Sequence, residues 1–254
     1  MAQHALARTD LEALLRTRKL DRTLQPADTG QPERAPVAPD TRLSTGLPLL
    51  DARLDGGLPR GQVSEIAGPR SSGRTTLMSA ALAAATRRGE LTALVDPLDM
   101  FDPQSAAACG VALERLLWLR GEGTTMGVVG GREQDKLERV LDRALKALNL
   151  ALQAGGFDLV VLDFAEVPAA ALRRLPFTTW FRLQRVIEGS RTVCLLLGPA
   201  PLARSADGVS IQLSPAAGNE QGWNERLFLG LGIQARIVRA RSAEDGRVGI
   251  FARQ

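Results

Sequence analysis

The chain has 254 residues, 44% of them apolar, with a mild formal net charge of +4, two cysteines and one histidine. That length holds one sizeable domain plus an appendage. The single histidine, His4, excludes Ser-His-Asp, Cys-His and histidine–metal chemistry. No run approaches the ~20 apolar residues that span a bilayer. Residues 1–20 include Asp10 and Glu12 and lack the apolar centre of a secretory leader. Cys109 and Cys194 have no metal-ligand spacing, so a reduced, cytoplasmic protein away from membranes is expected. All but three of the 32 basic residues are arginine (the lysines are Lys19, Lys136 and Lys146). This excess is compatible with nucleic acid and equally with a solvated surface.

In chain order, residues 4–22 read as an amphipathic helix, with Leu6, Leu11, Leu14, Leu15 and Leu20 near helical spacing. Pro26, Pro32, Pro36 and Pro39 then mark a linker. The expected organisation is a helix over 1–22, a Pro-rich linker over 23–42 and a core over 43–254. The core alternates strand and helix. Val63–Ala67, Leu91–Val95, Leu116–Leu119, Leu159–Leu162 and Thr192–Leu197 are short apolar runs. Arg74–Arg88, Glu133–Ala154 and Trp180–Ile187 are helical, the second ended by Gly155-Gly156. Unbroken apolar strands between helices predict an α/β fold with a mostly parallel central sheet. Ile211–Leu213, Leu227–Val238 and Val248–Ala252 predict antiparallel C-terminal strands, with Ala243–Gly246 as a hairpin turn.

Gly68-Pro69-Arg70-Ser71-Ser72-Gly73-Arg74-Thr75-Thr76 lies between a strand and a helix. It matches the phosphate-loop pattern G-x-x-x-x-G-K-[ST] except at the lysine. Gly68 and Gly73 let the backbone curl its N–H groups inward, and the following helix adds the positive end of its dipole. Thr75 is the expected Mg²⁺ ligand of the loop. Asp163, at the end of an apolar strand, is the expected second one. Arg74 keeps the charge of the missing lysine but is longer, planar and forked. The expected cofactor contacts are therefore Gly68 to Thr76 and Asp163, for ATP with Mg²⁺. No catalytic residue is assigned.

The runs Ser44-Thr45-Gly46-Leu47-Pro48-Leu49-Leu50-Asp51, Gly56-Gly57-Leu58-Pro59-Arg60-Gly61, Glu65-Ile66-Ala67-Gly68-Pro69 and Ser71-Ser72-Gly73 resemble, in order and spacing, the start of the RecA recombinase core. Leu94-Val95-Asp96 and Asp102-Pro103 resemble its next strand and exit. The resemblance implies a RecA-like P-loop NTPase core, and it also exposes departures. The position of the water-activating glutamate of RecA is Leu98, which cannot orient water. Asp99 and Asp102 are near it but out of register. After Leu197 the γ-phosphate-sensing glutamine of RecA is replaced by Gly198-Pro199-Ala200-Pro201-Leu202-Ala203-Arg204, and the second loop is short.

A truncated RecA core, the Leu195–Pro199 strand exit and arginine-rich terminal strands resemble the ImuA family, RecA-related accessory proteins of bacterial inducible mutagenesis. That resemblance implies SOS-type translesion DNA synthesis. The implied partners are an ImuB-like inactive Y-family polymerase homologue, an error-prone polymerase and RecA itself. Two other readings stay open: a working DNA-dependent ATPase or recombinase paralogue, and a regulatory RecA-fold ATPase. Direct DNA contact is open too. By strict alternation Arg236 falls out of phase with Arg239 and Arg241. Trp118 and Trp180 read as core, and Trp223, in a polar segment read as a loop, as a partner contact. The tethered helix can bury its leucines on the chain's own core or on a neighbouring subunit; its placement resembles the RecA element that docks on the next subunit, and that outcome gives a homo-oligomer.

Overall fold

A computed structural model describes residues 41–121, 131–203 and 208–215 and, towards the C-terminus, 223–224, 227–228, 230–239 and 247–253. The helix expected over 1–22, nearly all of the linker and the turn at 243–246 lie outside these residues. The core opens with a short antiparallel ladder of β1 (Arg42–Leu43) and β2 (Leu58–Pro59), separated by helix α1 (Pro48–Arg53). Arg42, which the sequence reading left in the linker, is thus already paired.

Then follow β3 (Val63–Ala67), α2 (Arg74–Arg87), β4 (Thr92–Asp96), α3 (Pro103–Ala108), β5 (Leu116–Arg120), α4 (Gly131–Ala154) and β6 (Leu159–Asp163). After them come α5 (Ala169–Leu172), α6 (Thr178–Ile187), β7 (Val193–Gly198), β8 (Ser210–Pro215), β9 (Trp223–Asn224), β10 (Leu227–Phe228), β11 (Gly230–Arg239) and β12 (Arg247–Arg253). Eight strands form one sheet in the order β12-β11-β8-β3-β7-β6-β4-β5. From β8 to β5 every pairing is parallel; β11 and β12 join as an antiparallel edge. The α/β fold with a mostly parallel sheet and antiparallel C-terminal strands is as expected.

The strand run expected over 227–238 divides: Leu227–Phe228 pairs with Trp223–Asn224 as a separate ladder, and the sheet strand begins at Gly230. Trp223 is therefore a strand residue rather than a loop residue. α1, α3 and α5 are short, and the sequence reading missed them. Four to six residues carry too little periodicity to register.

Strand alternation sorts the core into two layers. On one side Ile66, Leu94, Leu159, Val161, Leu195 and Leu197 meet Leu77, Met78 and Leu82 of α2. On the other, Val63, Val95, Val160, Leu162 and Leu196 meet Leu141 and Leu148 of α4 and Trp180 and Leu183 of α6. The α4 stripe is amphipathic because that helix covers the sheet once and faces solvent behind. α2 is apolar nearly all round, since the 43–58 segment packs on its outer side: a Cβ on Gly46 would collide with the Ala80 carbonyl. Asp51 ties that segment down, accepting from Ser44 Oγ (2.6 Å), Thr45 N (2.8 Å) and Thr45 Oγ1 (2.7 Å). Gly155 and Gly156 both have positive φ and end α4 as expected. Among the described residues no helix is long and apolar enough to cross a membrane.

Candidate phosphate-loop site

The loop 68–73 leaves the carboxyl end of β3, the central strand of the sheet, and turns into α2. Gly73 has φ 91° and Ser71 φ 58°, so the chain passes twice through the left-handed region. Glycine tolerates this, and serine adopts it at a cost of about 1 kcal/mol or more. Such a succession turns backbone N–H groups toward a common centre. The loop is anchored from two sides and closed by a hydrogen bond of its own. Gly68 N donates to the Gly198 carbonyl (3.2 Å), Ser72 N donates to the Pro69 carbonyl (3.3 Å), and Ile233 of β11 lies where a Cβ on Gly73 would be. Pro69, Arg70, Ser71, Thr75 and Thr76 are exposed, whereas Gly68, Ser72, Gly73 and Arg74 are buried. Ser72 is only 1% exposed and its hydroxyl has no hydrogen-bond partner. An orphaned hydroxyl inside a curl of amides fits a loop shaped around an anion.

The side chains around the curl do not continue that pattern. Arg74, 4% exposed, donates from Nη1 to the Ala165 carbonyl (2.6 Å) and from Nη2 to Glu166 Oε1 (3.0 Å). Arg70 reaches the other oxygen of the same carboxylate, Nε to Oε2 at 3.1 Å. The expected phosphate-gripping cation is thus held in an ion pair within the chain. Asp163, at the end of β6, accepts from Ala165 N (2.8 Å). Burial is the largest influence on it and raises its pKa to about 6, against the lowering effect of that hydrogen bond. Of the two expected Mg²⁺ ligands, Thr75 is exposed and Asp163 partly exposed. The loop's backbone and the Ser72 hydroxyl fit a phosphate group, while the engaged Arg74 leaves a triphosphate without a free cation at the lysine position of the pattern.

Leu98 is buried, 7% exposed, and belongs to the layer formed with α4. Its neighbours offer no substitute for a water-orienting carboxylate. Asp99, itself at φ 57°, is gripped by Arg120 through two 2.8 Å hydrogen bonds, which hold its carboxyl below the usual range. Asp102 caps α3, accepting from Gln104 N (3.0 Å). Asp96 accepts from Met100 N (3.0 Å), Phe101 N (2.9 Å) and Trp118 Nε1 (3.2 Å). At the exit of β7, where a γ-phosphate sensor is absent from the sequence, Glu65 of β3 holds the connection in place. It accepts from Leu202 N (2.7 Å), Ala203 N (2.8 Å) and Ser210 Oγ (2.6 Å). Sequence reasoning missed Glu65 and Glu166 as determinants of this region. Glu65 sits in an apolar strand run and Glu166 three residues beyond Asp163, and neither position advertises its partners.

Trp180 is core, 3% exposed, while Trp118 is half-buried, edge-on to Phe101 at 5.3 Å and covered by Arg120 at 4.3 Å. In β11 the register shifts between Ile237 and Arg239. Position 239 lies opposite Ser210, as 236 lies opposite Gln212, so the irregularity brings the two arginine positions into one phase. This corrects the strict alternation assumed from sequence.

A curl of left-handed backbone joining a parallel strand to a helix, at the carboxyl end of a sheet flanked by helices, defines the P-loop class of α/β proteins. Residues 33–173 match the RecA N-terminal domain. The chain belongs to the RecA family. It is similar to Protein RecA of Chlorobium chlorochromatii (strain CaD3), 35% identical over 170 residues, which are 61% of this chain and 43% of that protein. It is also similar to Protein RecA of Clavibacter michiganensis subsp. michiganensis (strain NCPPB 382), 37% identical over 146 residues, 56% of this chain and 35% of that one. Over a shorter stretch of 75 residues, 30% of this chain and 20% of the relative, it is 51% identical to Protein RecA of Arthrospira platensis. The chain spans less than half the length of these relatives.

Proposed function

We propose that this RecA-family chain is an accessory protein of SOS-type translesion DNA synthesis and induced mutagenesis. It acts mainly through protein–protein contacts rather than through turnover of ATP. The observation that carries the reading is the pair Arg74 and Leu98: one is engaged by Ala165 and Glu166, the other is part of the core. A site that lacks a general base forfeits about 10²–10⁴ in rate, and here the phosphate grip is compromised as well. The RecA relatives support ATP and Mg²⁺ as the ligand class from which this site descends. In this chain the loop binds a phosphate group weakly and does not activate water. The arginine-rich terminal strands and the Leu195–Pro199 strand exit favour the ImuA-like role, with an inactive Y-family polymerase homologue, an error-prone polymerase and RecA as partners. A homo-oligomer through residues 1–22 belongs to the same proposal.

Co-purification tests it. The tagged chain should retain the polymerase-like partner, and the Asp163→Ala variant should retain it equally, because binding does not depend on turnover. Absence of any association with the three partners contradicts the reading. The alternative of a DNA-dependent ATPase predicts ATP hydrolysis stimulated by single-stranded DNA and lost in Asp163→Ala.

A further inference from the structure

Glu166 answers the charge of both arginines of the phosphate loop. Its two carboxylate oxygens are divided between the two arginines of the phosphate loop, Oε1 to Arg74 Nη2 at 3.0 Å and Oε2 to Arg70 Nε at 3.1 Å. Arg70 has a side chain 84% exposed and is otherwise at liberty to extend into solvent, yet it bends back onto this carboxylate. Arg74 is 4% exposed, and a buried guanidinium without a counter-ion is strongly disfavoured. The carboxylate is itself 29% exposed, so it closes the pair from the solvent side. Within the same loop the Ser72 hydroxyl is buried without a partner. The amide curl and the orphaned hydroxyl are therefore present together with two cations whose charge is answered from within the chain.

We infer that Glu166 is a tethered counter-ion that sets the affinity of the 68–76 loop for phosphate chains. While its charge is present, a polyphosphate must compete with a covalently attached carboxylate, whose effective concentration is high. Remove that charge and the loop becomes a polyphosphate site held by Arg74, Arg70, the amide curl and Ser72. The inference rests on the reading of the loop as a non-hydrolysing descendant of an ATP site, and adds what regulates its occupancy. Any partner segment that drew Glu166 away would switch the loop to its binding state.

The test is a calorimetric titration of the full chain with sodium tripolyphosphate, in the absence of magnesium. Glu166→Gln keeps the side-chain shape and one acceptor oxygen but removes the charge. It should bind tripolyphosphate about tenfold more tightly than the parent chain, the scale of one charge-assisted contact released for the ligand. Glu166→Ala should do the same, and adding Arg74→Ala to either should return the affinity to the parent level. Equal or weaker binding by both single variants, with native circular dichroism, overturns the inference. So does loss of the fold in both, because Glu166 would then be a structural brace and not a setter of affinity. ATP hydrolysis measured on the same samples separates this from the reading beneath it. Turnover by the parent chain sinks the non-hydrolysing reading whatever Glu166 does. A gain in tripolyphosphate affinity without turnover supports both.

Discussion

The chain places a buried arginine at each end of its central sheet, and the two serve different ends. Arg60, just before β3, is 4% exposed and clamps three segments, reaching Glu90 Oε1 (2.6 Å), Asp158 Oδ1 (3.0 Å) and the Arg191 carbonyl (2.9 Å). Arg74, just after β3, is equally buried but meets one carboxylate and one carbonyl, both from the segment that follows β6. The first joins the amino-terminal ends of β3, β4, β6 and β7 through the residues that flank them. The second stands at the lysine position of the phosphate-loop pattern, and its charge is answered by Glu166. Backbone curvature at that loop follows from Gly73, Ser71 and the packing of Ile233, and it survives changes in the side chains around it. Side-chain chemistry depends on one residue at a time and can be re-paired without disturbing the fold.

The contrast can be broken first at the clamp. Arg60→Ala leaves Glu90 with Arg88 alone (2.7 Å) and Asp158 with the more distant Arg191 (3.9 Å), and it strips the Arg191 carbonyl of a donor. Burial and the charge of Glu90 already hold the Asp158 carboxyl above its usual range. We expect a loss of about 3–5 kcal/mol in urea unfolding, and a loss under 1 kcal/mol would mean that the clamp is not structural. Next comes the curl. Gly73→Ala combines positive φ with a clash against Ile233 and should cost about 2–3 kcal/mol. A second substitution, Ile233→Ala, should recover part of the Gly73→Ala loss by making room; no recovery would place the whole cost in the backbone.

A smaller effect is expected from Asp163, and its sign is set by the raised pKa. In the folded chain this carboxyl keeps its proton up to about 6, whereas unfolded it releases it in the ordinary carboxylate range near 3.8. Between those values the native state binds more protons, so its stability falls as pH rises and stays low above about 6. Asp163→Asn, measured by thermal unfolding in a chelating buffer, should therefore stabilise the chain by about 1–3 kcal/mol at pH 7.5. The gain should fade as pH falls from about 6 to about 4. A destabilised variant at pH 7.5 would mean that the carboxylate is held charged by its surroundings. The smallest effect belongs to Arg74→Ala, about 1 kcal/mol. Glu166 is partly hydrated and keeps Arg70, and removing a buried charge recovers part of the loss. If Arg74→Ala costs as much as Arg60→Ala, the two ends of the sheet do the same work.

How much of this was legible beforehand divides along the same line. The strands from Val63 to Leu197 read correctly because each is a short, mostly apolar run between helical segments, and the loop 68–76 because its glycines have fixed spacing between a strand and a helix. Leu98 stood out as a position that cannot activate water, and its burial explains why leucine suits it. The partners of Arg74 were not legible. The arginine lies some ninety residues from Glu166 in sequence, and only the parallel pairing that places β6 one strand beyond β7 from β3 brings them together. The register shift in β11 was equally invisible, since an extra residue in a strand leaves no mark on composition. Trp223 misled because polar neighbours surround a residue that pairs across a short ladder with Phe228.

The measurement closest to the central claim is phosphate release from ATP by the purified full-length chain, with Mg²⁺, in the presence and absence of single-stranded DNA. The account predicts a rate indistinguishable from that of the Asp163→Ala variant under both conditions. Magnesium-dependent release that DNA stimulates and Asp163→Ala abolishes would contradict it.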